Sequence, residues 1–251
     1  MLRSTAAFWD YRISATDGVL GKIKDLLFDD RAWITRYLVA DTSAWLPGRK
    51  VLIVPPALSE PDWMNRELPV PLSRRQVKDS PDVEEDQPVS RQREERLHRY
   101  YGWTPYWPGP EAAALAPDAM RSPEPGSGEA LADDDGGDGN GDPRLRSVKE
   151  VTGYGIAALD GEIGHVEEFI IDDETWWLRY AVVDTRNWLP GRKVLVSPLW
   201  IQRIDWASRS VEINLSRARI ENSPPYDPTE AVNRQYEERL YDYYGQPRYW
   251  R

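Results

Sequence analysis

The chain of 251 residues has no cysteine, two histidines and three phenylalanines. No stretch approaches the ~18 apolar residues that a membrane-spanning helix needs. Without Cys there is no disulfide, no thiolate-ligated zinc or iron–sulfur cluster and no thiol nucleophile. His98 and His165 cannot by themselves build a multi-histidine metal site, and they argue against a Ser–His–Asp triad. The first ten residues, Met1 to Asp10, lack the apolar stretch of a secretory signal. These absences lead to the expectation of a cytoplasmic chain with no catalytic residue, no metal site, no cofactor and no transmembrane segment.

What is abundant is aromatic and acidic. There are twelve Trp and thirteen Tyr, and 42 Asp+Glu against 32 Lys+Arg give a net charge of −10. The acidity is localised. Residues 1–107 hold 16 acids and 16 bases, residues 144–251 hold 17 and 15, and residues 108–143 hold 9 acids and only Arg121. A chain of this charge is a poor tracker of nucleic-acid phosphates, so no nucleic-acid partner is expected. The segment 108–147 is rich in Gly, Pro, Ala and Asp and is expected to be a disordered acidic linker, because it cannot bury enough apolar surface to offset chain entropy. Within it, Asp138-x-Asn140-x-Asp142 places oxygen ligands at alternate positions, as a calcium loop does. Pro143 then stands where such a loop needs Gly, which favours a plain linker.

The flanking segments are copies of each other. Shifting the chain by 143 positions aligns residues 7–107 with 150–250 without a gap, and 43 of 101 positions are identical. The strongest match sets Asp41-Thr-Ser-Ala-Trp-Leu-Pro-Gly-Arg-Lys-Val-Leu52 against Asp184-Thr-Arg-Asn-Trp-Leu-Pro-Gly-Arg-Lys-Val-Leu195. The expected domains are 1–107 and 148–251, joined by the linker 108–147.

In the second copy, Asp160-Gly161 signals a hairpin turn. Strands are expected at 162–171, 178–184 and 193–197, with a further hairpin formed by 204–206 and 211–215 around Ser208-Arg-Ser210. The period then changes. Asp227-Pro-Thr-Glu230 resembles a helix start, Val232, Tyr236, Leu240 and Tyr243 would share one face, and Gly245 would end the helix. The expected fold is therefore mainly β with short helices: two tandem small barrels, each followed by an amphipathic C-terminal helix. Closure would remove exposed strand edges.

The order Asp-Gly-x-x-Gly, Asp-Asp-x-x-Trp, Arg-Tyr-x-Val-x-Asp-Thr and Trp-Leu-Pro-Gly-Arg-Lys-Val-Leu resembles the PRC-barrel domain family in both copies. Relatives in that family include the cytoplasmic domain of the photosynthetic reaction-centre H subunit and the C-terminal domain of a ribosome-maturation factor. The resemblance implies a docking or adaptor barrel rather than a catalyst. The expected function is a non-enzymatic scaffold that binds a protein partner, at a membrane surface if it follows the reaction-centre relative. The alternatives are an accessory role in electron-transfer complexes and an RNA-processing or ribosome-linked factor.

The candidate partner-binding residues are Trp45, Arg49 and Lys50 in the first copy and Trp188, Arg192 and Lys193 in the second, since Trp and Arg dominate binding hot spots. The competing reading of the same loops is architectural: Pro-Gly makes a turn, Trp plugs the core and Arg holds a nearby oxygen. Asp29-Asp30 and Asp172-Asp173 are expected to be solvated turn caps. Asp41 and Asp184 are expected to pair with Arg36, Arg179 or the loop arginines. His98 and His165 are expected on the surface, and the aromatic chain ends (Tyr106-Trp107, Tyr249-Trp250) over the barrels or the sister copy.

Overall fold

The computed structural model describes residues 1–81, 83, 89–107, 144–185 and 192–250. The expected linker over 108–143, its calcium-loop reading and Trp188 lie outside the described residues. The protein is mainly β with a few short helices.

The first half runs β1 (Leu2–Ser4), α1 (Thr5–Phe8), β2 (Arg12–Ala15), β3 (Gly18–Asp29), β4 (Ile34–Asp41), β5 (Val51–Ile53), β6 (Glu67–Pro69), α2 (Arg74–Asp79) and α3 (Arg91–Tyr101). The second half runs β7 (Leu145–Ser147), α4 (Val148–Val151), β8 (Gly155–Ala158), β9 (Gly161–Asp172), β10 (Leu178–Asp184), β11 (Lys193–Val196), β12 (Ile201–Asp205), β13 (Ser210–Ile213), α5 (Arg217–Glu221) and α6 (Arg234–Tyr244). The order of elements recurs with one exception. Strand β12 has no counterpart, because Pro61 stands where Ile204 stands in β12 and cannot donate to a ladder.

The two sheets have the orders β5-β4-β3-β2-β6 and β11-β10-β9-β8-β13-β12. The pairs β2·β6 and β8·β13 are parallel, and the remaining ladders are antiparallel. Neither sheet is a closed barrel, which corrects the expectation from the punctuated short strands. The reason lies in the twelve-residue strands β3 and β9. One edge of β9 pairs with β10. The other edge pairs with β8 over Gly161–His165 and then with β1, from the opposite half, over Ile170–Asp172. The first half answers in kind, since β7 pairs with β3 through Leu27↔Ser147, Phe28↔Arg146 and Asp29↔Leu145. Each half therefore satisfies part of its longest strand with a strand borrowed from the other, rather than by closing on itself. Residues 145–147, expected in the linker, are this borrowed strand.

The Asp-Gly-x-x-Gly motif explains the course of these long strands. Gly18 and Gly161 take φ of +142° and +138° at the hairpin turns. At Gly21 and Gly164 a β-carbon would lie 1.7 Å and 1.9 Å from the carbonyl oxygens of Asp41 and Asp184. Only glycine lets the neighbouring strand pass this closely.

The core crosses the seam between the halves. Phe28 and Trp33 stack at 5.2 Å, and both rings lie 6.1 Å from Phe169 of the other half. Phe8 meets Trp176 at 5.8 Å. Trp33 and Trp176 hold φ of +56° and +61°, a costly conformation for a bulky residue. It aims their carbonyls across the seam: Thr35 N–H donates to Trp176 at 2.8 Å and Leu178 N–H to Trp33 at 2.8 Å. The Asp-Asp-x-x-Trp motif is thus one device used twice about a pseudo-twofold axis.

The C-terminal helices differ from expectation in start and face. Helix α6 begins at Arg234 with Asn233 as its cap, while Asp227 caps a separate turn at Thr229. Its buried residues are Glu237, Leu240, Tyr241 and Tyr244. Helix α3 likewise buries Glu94, Leu97 and His98, and both helices end on a left-handed glycine, Gly102 and Gly245.

Candidate functional site

The Trp-Leu-Pro-Gly-Arg-Lys loop of the first half leaves β4 at Asp41 and returns in β5. Thr42 accepts the backbone N–H groups of Trp45 and Leu46 on its carbonyl, which closes the turn. The Trp45 indole N–H donates to the Leu20 carbonyl at 2.7 Å, and the Arg74 guanidinium covers its ring at 4.4 Å. Arg49 donates to the carbonyls of Lys78 and Ser80, both at 2.6 Å, and so holds the end of α2. In the second half Arg192 donates to the Ser223 carbonyl in the same way. These three side chains play an architectural part, consistent with the second reading of the loop.

Lys50 and Lys193 diverge. The Lys193 ammonium lies 2.6 Å from Glu167. The position equivalent to Glu167 is Lys24, and Lys24, Arg49 and Lys50 line one wall of a cavity of about 270 Å³. Ser147 and Lys149, delivered by the borrowed strand β7 and the start of α4, line it as well. The cavity exists because the halves exchange strands. The Lys149 ammonium is also held over the Trp9 ring at 4.6 Å.

Two carboxylates share the cavity. Asp25 accepts the Ser147 hydroxyl, the Leu26 N–H at 2.8 Å and the Lys149 N–H at 3.2 Å. Burial nevertheless pushes its carboxyl above the usual range, against the opposing effect of those hydrogen bonds. Asp41 is exposed, and the Ser43 hydroxyl together with the Ser43 N–H, at 3.1 Å, holds its carboxyl low. The second half repeats the Asp25 link, with the Ser4 hydroxyl donating to Glu168.

Two expectations for charged residues need correction. Arg36 pairs with Asp29 at 3.5 Å and Arg179 with Asp172 at 3.2 Å, rather than with Asp41 and Asp184. Asp29 and Asp172 do cap their own turns, accepting Ala32 N–H at 3.0 Å and Glu174 N–H at 3.2 Å. Asp30 and Asp173 instead reach across the seam to Arg146, at 3.3 Å, and to Arg3. Those arginines then cover Trp206 at 3.9 Å and Trp63 at 4.0 Å.

His98 is buried, not on the surface, and lies within a polar knot. The Tyr37 hydroxyl lies 2.8 Å from both Glu94 Oε1 and His98 Nε2, and the Tyr106 hydroxyl donates to Glu94 at 2.7 Å. Burial holds the His98 imidazole down to about 4, so it is neutral at pH 7. The second half repeats the knot with Tyr180 and Tyr249 on Glu237, and Tyr241 in place of the histidine. The aromatic chain ends thus fold back on their own helices: Trp107 lies 4.8 Å from His98 and Trp250 lies 5.0 Å from Tyr241.

Sequence reasoning missed Lys24, Asp25, Ser147 and Lys149. A signal existed: Leu2-Arg-Ser4 is repeated as Leu145-Arg-Ser147 at the same shift of 143, two residues before the aligned block, and marks the exchanged strands.

Among the described residues no group of three His, Asp or Glu side chains is arranged to hold a metal ion. No helix among them is long and apolar enough to cross a membrane. No family model matches the chain, and no curated protein matches it significantly.

Proposed function

We propose that the protein is a cytoplasmic, non-catalytic adaptor of PRC-barrel-like design, built from two tandem copies, which binds a protein partner at the seam between them. The observation that carries this reading is the cavity lined by Lys24, Asp25, Arg49, Lys50 and Lys149. It is a small recess that combines these charged groups with the apolar side chains of Leu27, Val39 and Leu46. The carboxylate best placed for acid–base work, Asp25, is saturated by a hydroxyl and two backbone N–H groups. The order of motifs in both copies supports the family resemblance, and the family's docking role supports an adaptor over an enzyme.

The experiment is affinity capture with the full chain immobilised, followed by reconstitution with each captured protein after purification. A reconstituted one-to-one complex is expected. Failure of every captured protein to rebind in purified form would refute the adaptor reading. RNA rather than protein in the retained fraction would favour the ribosome-linked alternative.

A further inference from the structure

The two strand orders end in β5, β6, β11 and β12. A terminal strand exposes a row of backbone groups unless something covers it. Among the described residues three of these four are covered. At β11 the Tyr226 N–H donates to the Lys193 carbonyl at 2.9 Å, and at the start of β5 the Lys50 N–H donates to the Val83 carbonyl at 2.7 Å. At β6, Asp62 bridges Glu67 and the Ser59 N–H donates to the Pro69 carbonyl at 2.8 Å. Strand β12 has no such bond on the side away from β13. Its register shows which groups point there. In the parallel pair β8·β13 the Gly155 N–H donates to the Arg209 carbonyl at 3.0 Å. Alternate residues of β13 therefore face β8, which leaves Ser210 and Glu212 to face Asp205 and Arg203 of β12. The Asn214 N–H, two residues on, donates to the Trp200 carbonyl at 3.2 Å and continues the alternation. Ile204 lies between the two bonded pairs, so its N–H and C=O point to the open edge. The first half has Pro61 at this position, which offers no donor.

We propose that β12 is a self-association edge, to which β12 of a second copy of this chain adds as an antiparallel strand about a twofold axis at Ile204. The edge itself selects this register. Ile204 directs its backbone groups outward, so it bonds its own equivalent in the second copy. The twofold then sets Arg203 opposite the second copy's Asp205, and Asp205 opposite the second copy's Arg203. Two opposite-charge pairs flank an Ile–Ile pair, an arrangement that cross-strand neighbours favour. An axis one residue earlier would oppose Arg203 to Arg203, but Arg203 directs its backbone groups to β13. The side chains suit the pairing. The Arg203 side chain is 62% exposed, and its guanidinium lies 2.7 Å from Glu212 and 3.8 Å from Asp205 Oδ2. Asp205 Oδ1 accepts the Ala207 and Ser208 N–H groups, both at 3.0 Å, which fixes the carboxylate at the strand end. Ile204, on the other face of the strand, packs partly buried against the core. A strand pair of five residues buries less than the roughly 1,200–2,000 Å² of a standard interface, so association is weak and concentration-dependent. The interface uses none of the residues of the seam cavity and does not depend on the adaptor reading.

The test is sedimentation velocity on the full chain from about 5 µM to about 500 µM, with a shift from monomer towards dimer expected over that range. Ile204→Pro, which copies the first half at this edge, is expected to stay monomeric throughout. Arg203→Glu opposes carboxylate to carboxylate on both sides of the axis and is expected to weaken association about tenfold. Met64→Ser, which removes an exposed apolar side chain of the first half, is expected to change it less than about twofold. Circular dichroism and urea unfolding verify that each variant is folded. Amide hydrogen exchange reads the edge directly, with the Ile204 amide expected to exchange about fivefold more slowly at the highest concentration than at the lowest. A wild-type chain that is monomeric at about 500 µM would overturn the proposal and leave this edge to a strand of another protein. Equal dimerisation of Ile204→Pro or of Arg203→Glu would also overturn it, as would a dimer in which exchange at Ile204 is unchanged.

Discussion

Replacing Glu94 with alanine tests how the C-terminal helix of the first half is held. Glu94 is fully buried on α3. Its Oε1 accepts two phenolic hydroxyls, from Tyr37 on β4 at 2.8 Å and from Tyr106, just after α3, at 2.7 Å. Its Oε2 lies 3.1 Å from Arg91. Tyr37 is itself fully buried, so its hydroxyl cannot turn to water when the carboxylate is removed. A hydrogen bond to a charged group contributes about 1.5–3 kcal/mol, and an orphaned buried donor costs about 1–3 kcal/mol. Tyr37 keeps His98 Nε2 as a second neighbour, which limits its loss. The expected destabilisation for Glu94→Ala is therefore about 3–5 kcal/mol. Glu94→Gln keeps an acceptor for the hydroxyls and loses the charge facing Arg91, for about 1–2 kcal/mol.

Equilibrium urea unfolding followed by tryptophan fluorescence measures both variants. The halves exchange β1 and β7 and share a core, so Glu94→Ala and Glu237→Ala should each move one common transition rather than split it. A loss under about 1 kcal/mol for Glu94→Ala would refute the argument that the carboxylate carries the helix docking. Two separated transitions would refute the cooperative seam.

His98 predicts an acid sensitivity. Its folded-state value of about 4 lies below the ordinary value of about 6.5, because burial disfavours the imidazolium; Arg91 adds to the effect, and the Tyr37 hydroxyl and the Trp103, Tyr106 and Trp107 rings surround the imidazole. The unfolded chain then binds the extra proton first, so this contribution is intact above pH 6.5 and is lost as pH falls from 6.5 towards 4. Thermal melts across that window should show a loss of about 1–3 kcal/mol that His98→Tyr, the residue at position 241, removes. An unchanged pH slope in the variant would assign the acid sensitivity elsewhere. Gly21→Ala should cost about 3 kcal/mol or more in urea unfolding, since its β-carbon would meet the Asp41 carbonyl at 1.7 Å; a neutral result would mean that β3 and β4 can separate at that point. A double-mutant cycle on Arg146→Ala and Asp30→Ala should give a coupling of about 0.5–1 kcal/mol for this half-buried pair. Zero coupling would leave Arg146 acting through its stacking on Trp206 alone.

The long strands, the hairpins at Asp17-Gly18 and Asp160-Gly161 and the helix-ending glycines were legible because each has a local signature. The start of α6 was misread because Asp227-Pro-Thr-Glu230 satisfies a capping pattern that the structure uses for an isolated turn. The buried helix face was misread because Glu94 and Glu237 count as polar in any periodicity, while in the fold each is solvated by two tyrosine hydroxyls. Helix α2 was overlooked although Ser73 and Gln76 form a capping box. The candidate site was legible in its framework and not in its chemistry. Trp45 and Arg49 stand out in the sequence because the duplicated fold needs both. Lys24 and Lys149 differ between the copies, and only the strand exchange brings them to one cavity.

That exchange changes what a domain means for this chain. The repeat boundary in the sequence falls near residue 144, yet Leu145–Ser147 completes the sheet of the first half and Leu2–Ser4 that of the second. Neither copy holds all its own backbone partners, so the two share a folding constraint at the seam. Positions such as Trp33, Trp176, Asp30 and Asp173 serve that constraint from both sides. Positions 24 and 167 carry opposite charges in the two copies. A duplicated fold that is locked at its axis can therefore vary its charge elsewhere.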